Sequence, residues 1–397
     1  MNLGVKPELL KELALEAAIP TPDIGIRAGL DSWHPVYRGR PVTSFASWDL
    51  LGLHNRRDVQ GAMAKVLSES GCGVASARLA GGLSASHLQC EQRLAQFFGG
   101  ESATLFNNKN QAVLSVVTAL CGEGAVVLGP SLGALPLADA CALAHAEYGE
   151  YETVEQLRSL LERYGGFRRV LVVVESVSPL TGDGAEITQI NRVVEQFGAW
   201  LLIDESAALG LGGMRGAGSS EVLPSSPALL CRVCNFLTLV GSEVSGVVGS
   251  LELKELVLRR SRYLRFDPPP LPASAQAIEV ALGAAELSIV GRRMLAARAQ
   301  RVQQVLKAQG WKIGLSDEGI PILSVAFDTL QVARSIQEAL LQRALYVDAL
   351  AARGLRRNGA VVRVLLSLGH SEGEVQSLLE GFAEVQKRFV QPQAKIE

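Results

Sequence analysis

The chain has 397 residues, of which 48% are hydrophobic and 20% are charged, with a formal net charge of −2. A chain of this length and composition can bury a large core, and it exceeds the usual size of a single domain. Its lysines and arginines are scattered, which argues against nucleic acid or an anionic membrane as a partner.

The N-terminus lacks the pattern of a signal peptide, and no apolar run reaches the ~20 residues that a membrane-spanning helix needs. We therefore expect a soluble, cytoplasmic protein. Apolar runs of strand length then alternate with helical patterns, which predicts βαβ units and a largely parallel sheet covered on both faces. The predicted strands are 125–129, 169–175, 200–205, 229–236 and 246–250, and the predicted helices are 88–98, 110–121, 154–164 and 188–197.

A proline-rich segment at 267–272 ends this region, and residues 274–308 predict one long helix. A smaller α+β domain follows, with strands at 321–327, 344–350 and 360–368 and a helix at 371–388. The predicted organisation is an N-terminal arm (1–45), a large domain (46–270), a linking helix (271–310) and a small C-terminal domain (311–397).

Six cysteines in a chain of this length do not indicate a disulfide framework. Cys231 and Cys234 form a CxxC pair, but no second pair or histidine cluster completes a zinc site. Their surroundings, LLCRVCNFL, predict a buried strand instead.

Two acids end neighbouring predicted strands, Glu175 after RVLVVV and Asp204 after WLLI. In open parallel sheets, ligands bind at the carboxyl edge of the strands. Each acid could simply cap the turn that follows it. Because both are followed by glycine-rich turns, we interpret the pair as part of a binding crevice.

Five segments, in order, carry a family resemblance: WDLLGL (48–53), GCGVASARLAGGLSASHLQCEQRLAQFFG (71–99), LFNNKNQAVLSVVTAL (105–120), the pair ESVSPLTGD and DESAALG, and VVRVLLSLGH (361–370). In these segments the chain resembles the α-oxoamine synthases, which condense an amino acid with an acyl-CoA. Members include 8-amino-7-oxononanoate synthase and serine palmitoyltransferase. The resemblance implies an aminotransferase-like fold of the fold-type I pyridoxal-phosphate enzymes.

The resemblance also implies site residues. Arg78, Gly82 and His87 hold the places of the family's glycine-rich turn and histidine, and Arg363 holds that of the arginine that binds the amino-acid carboxylate. Asp204 and Glu175 lie at the strand ends that carry the pyridine ring. We therefore assign Asp204, Glu175, His87 and Lys109 to a cofactor pocket, Arg363 and Arg78 to substrate, and no residue to a metal.

The chain departs from the family at the lysine that forms an imine with the cofactor. Thr238 stands at the aligned position, and there is no lysine from Asn110 through Leu253. Lys254 lies at the start of a charged helix, where we expect it to be solvated. This lysine is essential to the family's chemistry.

Two histidines of the family are also missing, with Ala134 where one would stack on the ring and Ala207 where the other would follow the ring-binding acid. Lys109 and Asn110 replace the glycine–aromatic pair at the phosphate-binding helix start. On these grounds we expect that pyridoxal phosphate is ancestral and that no cofactor binds.

The leading expectation for function is a degenerate, non-catalytic subunit with a regulatory or scaffolding role. It would form a homodimer, or a heterodimer with a catalytic family member. The alternatives are an acyltransferase that uses an acyl thioester without pyridoxal phosphate, and an active enzyme similar to 8-amino-7-oxononanoate synthase. The sequence leaves open whether the chain binds a small polar or acyl-thioester ligand. Deletion of residues 1–40 is expected to disrupt assembly.

The position of Lys109 in the sequence also predicts the direction of its side chain. A lysine at the start of helix 110–121 points a positive charge at a place built for an anion. We expect it to turn inward and pair with Asp204, directly or through Glu175; the alternative is that it turns outward to solvent.

Overall fold

The computed structural model describes residues 27–28, 32–37, 39–131, 133–223, 226–314, 319–351 and 359–389. Most of the predicted N-terminal arm (1–45) lies outside these residues, so its role in assembly stays a prediction. The domain boundaries drawn from the sequence also stay predictions.

A seven-stranded sheet forms the centre of the larger part of the chain, and its order is β1-β7-β6-β5-β4-β2-β3. Only β7 runs antiparallel to both of its neighbours, so the predicted mostly parallel sheet is confirmed. The strands are β1 (Ser102–Phe106), β2 (Ala125–Pro130), β3 (Glu147–Tyr151), β4 (Arg169–Glu175), β5 (Trp200–Asp204), β6 (Leu229–Phe236) and β7 (Ser242–Gly249).

Helices cover both faces of this sheet. The longer helices of the described part of the chain are α1 (Arg57–Ser70), α2 (Ala85–Phe98), α3 (Lys109–Leu120), α4 (Leu137–Ala144), α5 (Val154–Arg163), α6 (Ile187–Gln196), α7 (Leu251–Arg260), α8 (Pro272–Leu287), α9 (Ile289–Ala308), α10 (Leu330–Leu341) and α11 (Glu372–Phe389), of which α9, α10 and α11 pack with the C-terminal part. Short helical turns lie at Arg78–Ala80, Ser219–Val222, Leu237–Val240 and Arg262–Phe266.

The central strands are apolar on both sides because both sides are buried. On β4, Leu171 and Val173 pack into the layer that contains α3, α4 and α7. Val172 and Val174 pack into the opposite layer with α5 and α6. Because successive side chains of a strand point to opposite faces of the sheet, one apolar run contributes to the cores on both sides. Cys231 and Cys234 of β6 are both about 1% exposed, which confirms the predicted buried strand.

The predicted single helix at 274–308 is wrong, because α8 and α9 meet at Ser288 with a bend of 71°. Ser288 has φ −79° and ψ 37°, outside helical geometry. Its Oγ donates to the Ala284 carbonyl at 2.8 Å, and the Arg292 guanidinium donates to the Ala285 carbonyl. Side chains thus satisfy the carbonyls that the break exposes.

Among the described residues, no single helix is long and apolar enough to cross a membrane. Only α8 and α9 taken together pass that test of length and composition, and the bend lies between them.

The C-terminal part is built on an antiparallel sheet of order β8-β10-β9, formed by β8 (Ile322–Phe327), β9 (Asp348–Ala351) and β10 (Ala360–Leu365). The predicted strand at 344–350 is divided. Leu345–Tyr346 pairs with Thr43–Ser44, so the chain before α1 is tied to the C-terminal part. Arg27–Ala28, Val36–Tyr37 and Arg40–Pro41 form a further small sheet.

The loop after β4 packs tightly on the C-terminal sheet. Ser324 Oγ donates to the Thr181 carbonyl at 3.0 Å. The next residue, Gly182, has φ +79°, and a Cβ there would lie 2.0 Å from the Ile322 carbonyl oxygen. Only glycine fits this contact without a shift of the backbone.

We expect Gly182→Ala to lower the free energy of unfolding by more than about 2 kcal/mol, because it combines a strained φ with a backbone clash. Gly166→Ala is the control, since a Cβ at Gly166 meets nothing within 4 Å. Chemical denaturation measures both variants. An equal, small effect for the two would contradict the tight contact.

Candidate functional site

Glu175 and Asp204 lie side by side at the carboxyl edge of the large sheet. They are the last residues of β4 and β5, and they are direct partners in the register of these two parallel strands. Glu175 is 8% exposed and Asp204 is 3% exposed. The structure therefore brings together the two acids that the sequence placed at strand ends.

Lys109 reaches this pair from the start of α3. The preceding residue, Asn108, caps the helix by accepting a hydrogen bond from the Gln111 amide at 2.9 Å. Lys109 Nζ lies 2.9 Å from Asp204 Oδ2, with side-chain exposures of 14% and 3%. Lys109 therefore turns inward and pairs directly with Asp204, as expected from its position, and the outward alternative is wrong.

The second oxygen of Asp204 is held by the turn that follows β5. Oδ1 accepts hydrogen bonds from the Ser206 amide at 2.9 Å and from the Ser206 hydroxyl. The same hydroxyl accepts from the Asn235 amide on β6 at 3.0 Å. Both oxygens of this buried carboxylate are thus satisfied within the chain, which fixes its direction in the crevice.

The cluster shifts the pKa of two of its members. Burial alone would lower the Lys109 pKa, but the Asp204 carboxylate, followed by Glu175 and Glu243, raises it above its ordinary value. Lys109 is therefore cationic at neutral pH. Burial, reinforced by the Asp204 charge, raises the pKa of Glu175 to about 7. Glu175 therefore titrates near neutrality.

Glu175 also contacts a second feature, a cavity of about 590 Å³. Its Oε1 accepts a hydrogen bond from the Ala134 amide at 2.6 Å. The described lining residues include five carboxylates and no basic side chain; the carboxylates are those of Glu152, Glu155, Glu175, Asp183 and Glu186. The cavity therefore favours a ligand that carries an amine.

Three of the positions where the sequence departs from the family, Ala134, Ala207 and Thr238, carry no charged side chain. Ala207 is 5% exposed, and Ala134 contributes its backbone amide to Glu175. Thr238 is 2% exposed, and its hydroxyl donates to the Leu209 carbonyl at 3.2 Å. A cofactor aldehyde finds no amine at position 238, and the amine that the described residues place in this cluster is that of Lys109.

His87 and Arg78 are not part of this cluster. His87 is fully buried, its Nδ1 contacts Ser84 at the start of α2, and its Nε2 lies 2.7 Å from the Pro270 carbonyl. Arg78 forms a buried ion pair with Glu91 at 2.7 Å. These contacts give both side chains structural partners, so their predicted roles in cofactor and substrate binding stay predictions.

Lys254 is not solvated as expected. Its Nζ lies 3.0 Å from Glu91 Oε2 and donates to the Ala103 carbonyl at 2.7 Å. The reason is that Glu91, buried in α2, faces both Arg78 and the first turn of α7, and a buried carboxylate attracts nearby cations.

Arg363 lies on β10, between the two parts of the chain. It donates to Asp348 at 2.6 Å and to the Pro179 carbonyl at 2.7 Å. Its guanidinium lies 5.0 Å from the centre of the Trp48 ring. Arg363 is thus positioned next to the loop after β4, while its role toward a substrate carboxylate stays a prediction.

Sequence reasoning missed Glu205. This carboxylate is fully buried and accepts from the Ser176 hydroxyl at 2.6 Å and from the Ser219 and Ser220 amides at 3.0 and 2.7 Å. It thereby closes the glycine-rich loop after β5 onto the end of β4. The sequence signal for this carboxylate is that two acids, Asp204 and Glu205, follow each other at the end of the strand, and the sequence analysis assigns a role only to Asp204.

We expect Lys109→Ala to lower the free energy of unfolding by about 3–5 kcal/mol, because it leaves Asp204 buried without its cation. Lys65→Ala, at an exposed position of α1, is the control and should change stability by under about 0.5 kcal/mol. Urea denaturation at neutral pH measures both. Equal effects would mean that the ion pair contributes nothing.

A second prediction concerns Glu175, whose pKa rises from 4.5 to about 7 on folding. Below pH 4.5 the carboxyl is neutral in both states. As pH rises toward 7, the unfolded state loses its proton first, so the native state loses stability, by roughly 2–3 kcal/mol at about 1.4 kcal/mol per pKa unit. Glu175→Gln keeps an acceptor for the Ala134 amide and should remove this loss.

The measurement is the difference in unfolding free energy between Glu175→Gln and wild type as a function of pH. It should grow between about pH 4.5 and pH 7 and then level off. Glu152→Gln, which removes an exposed carboxylate of the same cavity, is the control. A difference that does not depend on pH would show that Glu175 titrates at its ordinary value.

Comparisons with known proteins give the family. The sequence matches the family described as aminotransferase class I and II over residues 41–382. It is 27% identical to 8-amino-7-oxononanoate synthase of Geobacter sulfurreducens, over 91% of this chain and 93% of the relative. It is 31% identical to the enzyme of the same name from Pseudomonas entomophila, over 88% and 89% of the two chains.

The fold matches solved structures over nearly the whole chain. A structure of SPT with a PLP internal aldimine superimposes with a TM-score of 0.88 and 24% identity, over 96% of this chain and 97% of the other. Serine palmitoyltransferase of Sphingomonas wittichii gives the same TM-score. 8-Amino-7-oxononanoate synthase from Francisella tularensis gives 0.75, with 18% identity.

These relatives contradict the expectation that no cofactor is involved. The structural neighbours include serine palmitoyltransferase with PLP, and the family is one of pyridoxal-phosphate enzymes. That expectation rested on the missing lysine at position 238, the two missing histidines and the replaced glycine–aromatic pair, whereas the structure directs the Lys109 amine into the crevice. The expected fold, an aminotransferase-like fold of type I, is confirmed. The chain belongs to the class I and II aminotransferase family, in its α-oxoamine synthase branch.

Proposed function

We propose that this chain is a pyridoxal-phosphate-dependent acyltransferase of the α-oxoamine synthase type, with Lys109 as the amine of its cofactor site. Support comes from the relatives named 8-amino-7-oxononanoate synthase, which match about nine tenths of the chain. The observation that carries the residue assignment is the Lys109 amine, 2.9 Å from Asp204 at the carboxyl edge of the sheet.

The described residues fit the cofactor in part. Asp204 offers a buried carboxylate for a protonated ring nitrogen, and the start of α3 offers helix N–H groups for a phosphate. Lys109 offers an amine from the same helix start. Position 238, with its threonine, offers no amine. When bound, pyridoxal phosphate supplies an electron sink next to the substrate's α-carbon.

Each side chain has a separate task in this proposal. Lys109 holds the Asp204 charge in the absence of ligand and releases it when a cationic ring takes its place. The Lys109 amine is protonated in the ion pair, so it must lose a proton before it acts as a nucleophile. Glu175, whose pKa is about 7, is the group that we assign to accept that proton.

The surroundings of the cluster favour an amino-acid substrate. The acidic cavity beside Glu175 attracts an amine, and Arg363 lies next to the loop after β4 with a guanidinium that can pair with a carboxylate. To receive that carboxylate, Arg363 would have to release Asp348. The acyl donor would be a coenzyme A thioester, as the family relation suggests.

A second candidate is a subunit that binds the cofactor without catalysing the reaction and supports an active partner. It is favoured by Thr238 at the place of the catalytic lysine and by the full hydrogen bonding of Asp204. A structural neighbour is a lysine-to-alanine variant of serine palmitoyltransferase from S. paucimobilis with bound PLP–myriocin aldimine, so in that protein the cofactor is held in the variant.

The deciding experiment incubates the protein with pyridoxal phosphate, reduces it with borohydride and maps the modified peptide by mass spectrometry. We expect one adduct per chain, on Lys109. Lys109→Arg preserves a cation for Asp204 but offers no reactive amine, so it should lose the adduct and keep its fold. Lys65→Arg, at an exposed site, should keep the adduct.

Thiol release from an acyl-CoA, measured with a panel of amino acids, tests transfer. Activity in wild type that is lost in Lys109→Arg supports the first candidate. Cofactor absorbance without an adduct on Lys109 and without thiol release overturns it in favour of the second. No absorbance at all contradicts both.

A further inference from the structure

The cavity beside Glu175 carries more negative charge than the amine of one amino acid can balance. Five carboxylates line its volume of about 590 Å³, and the described lining residues include no lysine, arginine or histidine. We propose that this cavity binds an aliphatic diamine or polyamine, a flexible chain with two or more ammonium groups. Such binding needs neither pyridoxal phosphate nor Lys109, so it goes beyond the function proposed above.

The five carboxylates come from separate segments at the carboxyl edge of the sheet. Glu152 directly follows β3, and Glu155 lies in the first turn of α5. Glu175 is the last residue of β4, while Asp183 and Glu186 lie in the loop between β4 and α6. Because β2 lies between β3 and β4, the ends of these two strands are roughly 10 Å apart. The acids are therefore spread along the cavity instead of meeting at one point.

A helix-stabilising role accounts for two of these carboxylates at most. Negative side chains stabilise helix N-termini, which applies to Glu155 at the start of α5 and to Glu186 at the start of α6. The cap of α5 is already made by Thr153, whose hydroxyl accepts from the Gln156 amide at 3.2 Å. Glu186 makes no capping hydrogen bond. Glu175, at the end of a strand, has no helix to serve, so the charge of the cavity needs another explanation.

The chain supplies too few donors for the buried acids of this cavity. Glu175 is 8% exposed and its Oε1 accepts from the Ala134 amide, but among the described residues no donor contacts its Oε2. The Lys109 amine pairs with Asp204 instead. Oδ1 of Asp183 is buried and likewise has no donor within the described part of the chain. Because buried carboxylate oxygens without donors are costly, both acids indicate a donor that a ligand brings.

The spread of the carboxylates favours a chain of ammonium groups over a metal ion. A calcium or magnesium ion gathers about six or more oxygen ligands around one point. Among the residues that the structure describes, no three histidine, cysteine or acidic side chains come close enough together to hold a metal ion. Ammonium groups that are separated by methylene segments can instead pair with carboxylates at separate places along the cavity.

Apolar side chains among the carboxylates suit the methylene segments of such a ligand. Val154, Val174 and Ile190 line the cavity together with the acids. Methylene groups that leave water and pack against these side chains add to the binding free energy. The volume of about 590 Å³ also lies within the range of small-molecule sites, roughly 300–1,000 Å³. The cavity thus combines several anionic groups with apolar walls, as an alkyl polyamine requires.

The same lining disfavours a ligand that carries an anionic group of its own. The Tyr151 hydroxyl donates to the Val173 carbonyl at 2.8 Å, and the Ser131 hydroxyl donates to Glu152 at 3.4 Å. These hydroxyls are therefore occupied and do not offer a donor to a ligand carboxylate, which the acids of the cavity would repel. Lysine and 1,5-diaminopentane differ by one carboxylate only, so they form a matched pair of probes.

Isothermal titration calorimetry of the full chain, at low salt and without added cofactor, measures the binding of spermidine, 1,5-diaminopentane, lysine and pentylamine. We expect one site per chain and a dissociation constant for 1,5-diaminopentane at least about 10-fold lower than for lysine or pentylamine. Lysine adds a repelled carboxylate, and pentylamine lacks the second ammonium group. Spermidine, with three ammonium groups, should bind most tightly. Equal binding of lysine and 1,5-diaminopentane, or no binding of spermidine, overturns the proposal.

Two double variants locate the binding site. Glu152→Gln with Glu155→Gln removes two exposed carboxylates of the cavity and leaves its buried acids in place, so the fold should be retained. The dissociation constant for spermidine should rise at least about 5-fold. The control, Glu147→Gln with Glu162→Gln, makes the same change of net charge at exposed positions of β3 and α5 outside the cavity lining, and should leave the constant unchanged. Equal effects of the two double variants would show a general response to charge and overturn the site.

Discussion

The site depends on one electrostatic constraint, the need of a buried carboxylate at the end of β5 for a cation. Asp204 lies at the carboxyl edge with almost no exposure, and burying such a charge without a partner costs several kcal/mol. The fold provides two ways to meet that need at the same place. One is Lys109 from α3, which the structure shows; the other, in the function that we propose, is a ligand with a protonated ring nitrogen.

Lys109 and such a ligand cannot both pair with Asp204. Binding of the ligand would therefore break the ion pair between Lys109 and Asp204. A ligand that displaces Lys109 loses part of its binding free energy to breaking the Lys109–Asp204 ion pair. Its apparent affinity is therefore lower than it would be for a crevice in which Asp204 had no such partner. The Lys109 cation, once displaced, remains near the N-terminus of its helix, where an anionic group of the ligand would meet it. Glu175 adds a dependence on pH, because its own charge develops near neutrality.

The central strands could be predicted from sequence because burial on both faces leaves a continuous apolar run; the strands at 169–175 and 229–236 match to the residue. The inward turn of Lys109 could also be predicted, since it follows from one helix start and one strand end. The break at Ser288 could not, because helical periodicity continues through it and side chains replace the lost backbone bonds. Lys254 was misplaced for a similar reason, since its partner Glu91 is 163 positions away.

The contact between Ser32 and His54 shows the same limit most clearly. Nothing in the spacing of a serine and a histidine 22 positions apart indicates contact, and the turn at Gly52 that brings His54 near Asp49 is only visible in three dimensions. Asp49 lies in WDLLGL, directly beside Trp48, whose ring faces the Arg363 guanidinium. The segment 48–53 therefore borders the arginine next to the crevice, and a ligand that displaces Arg363 would also remove its contact with the Trp48 ring.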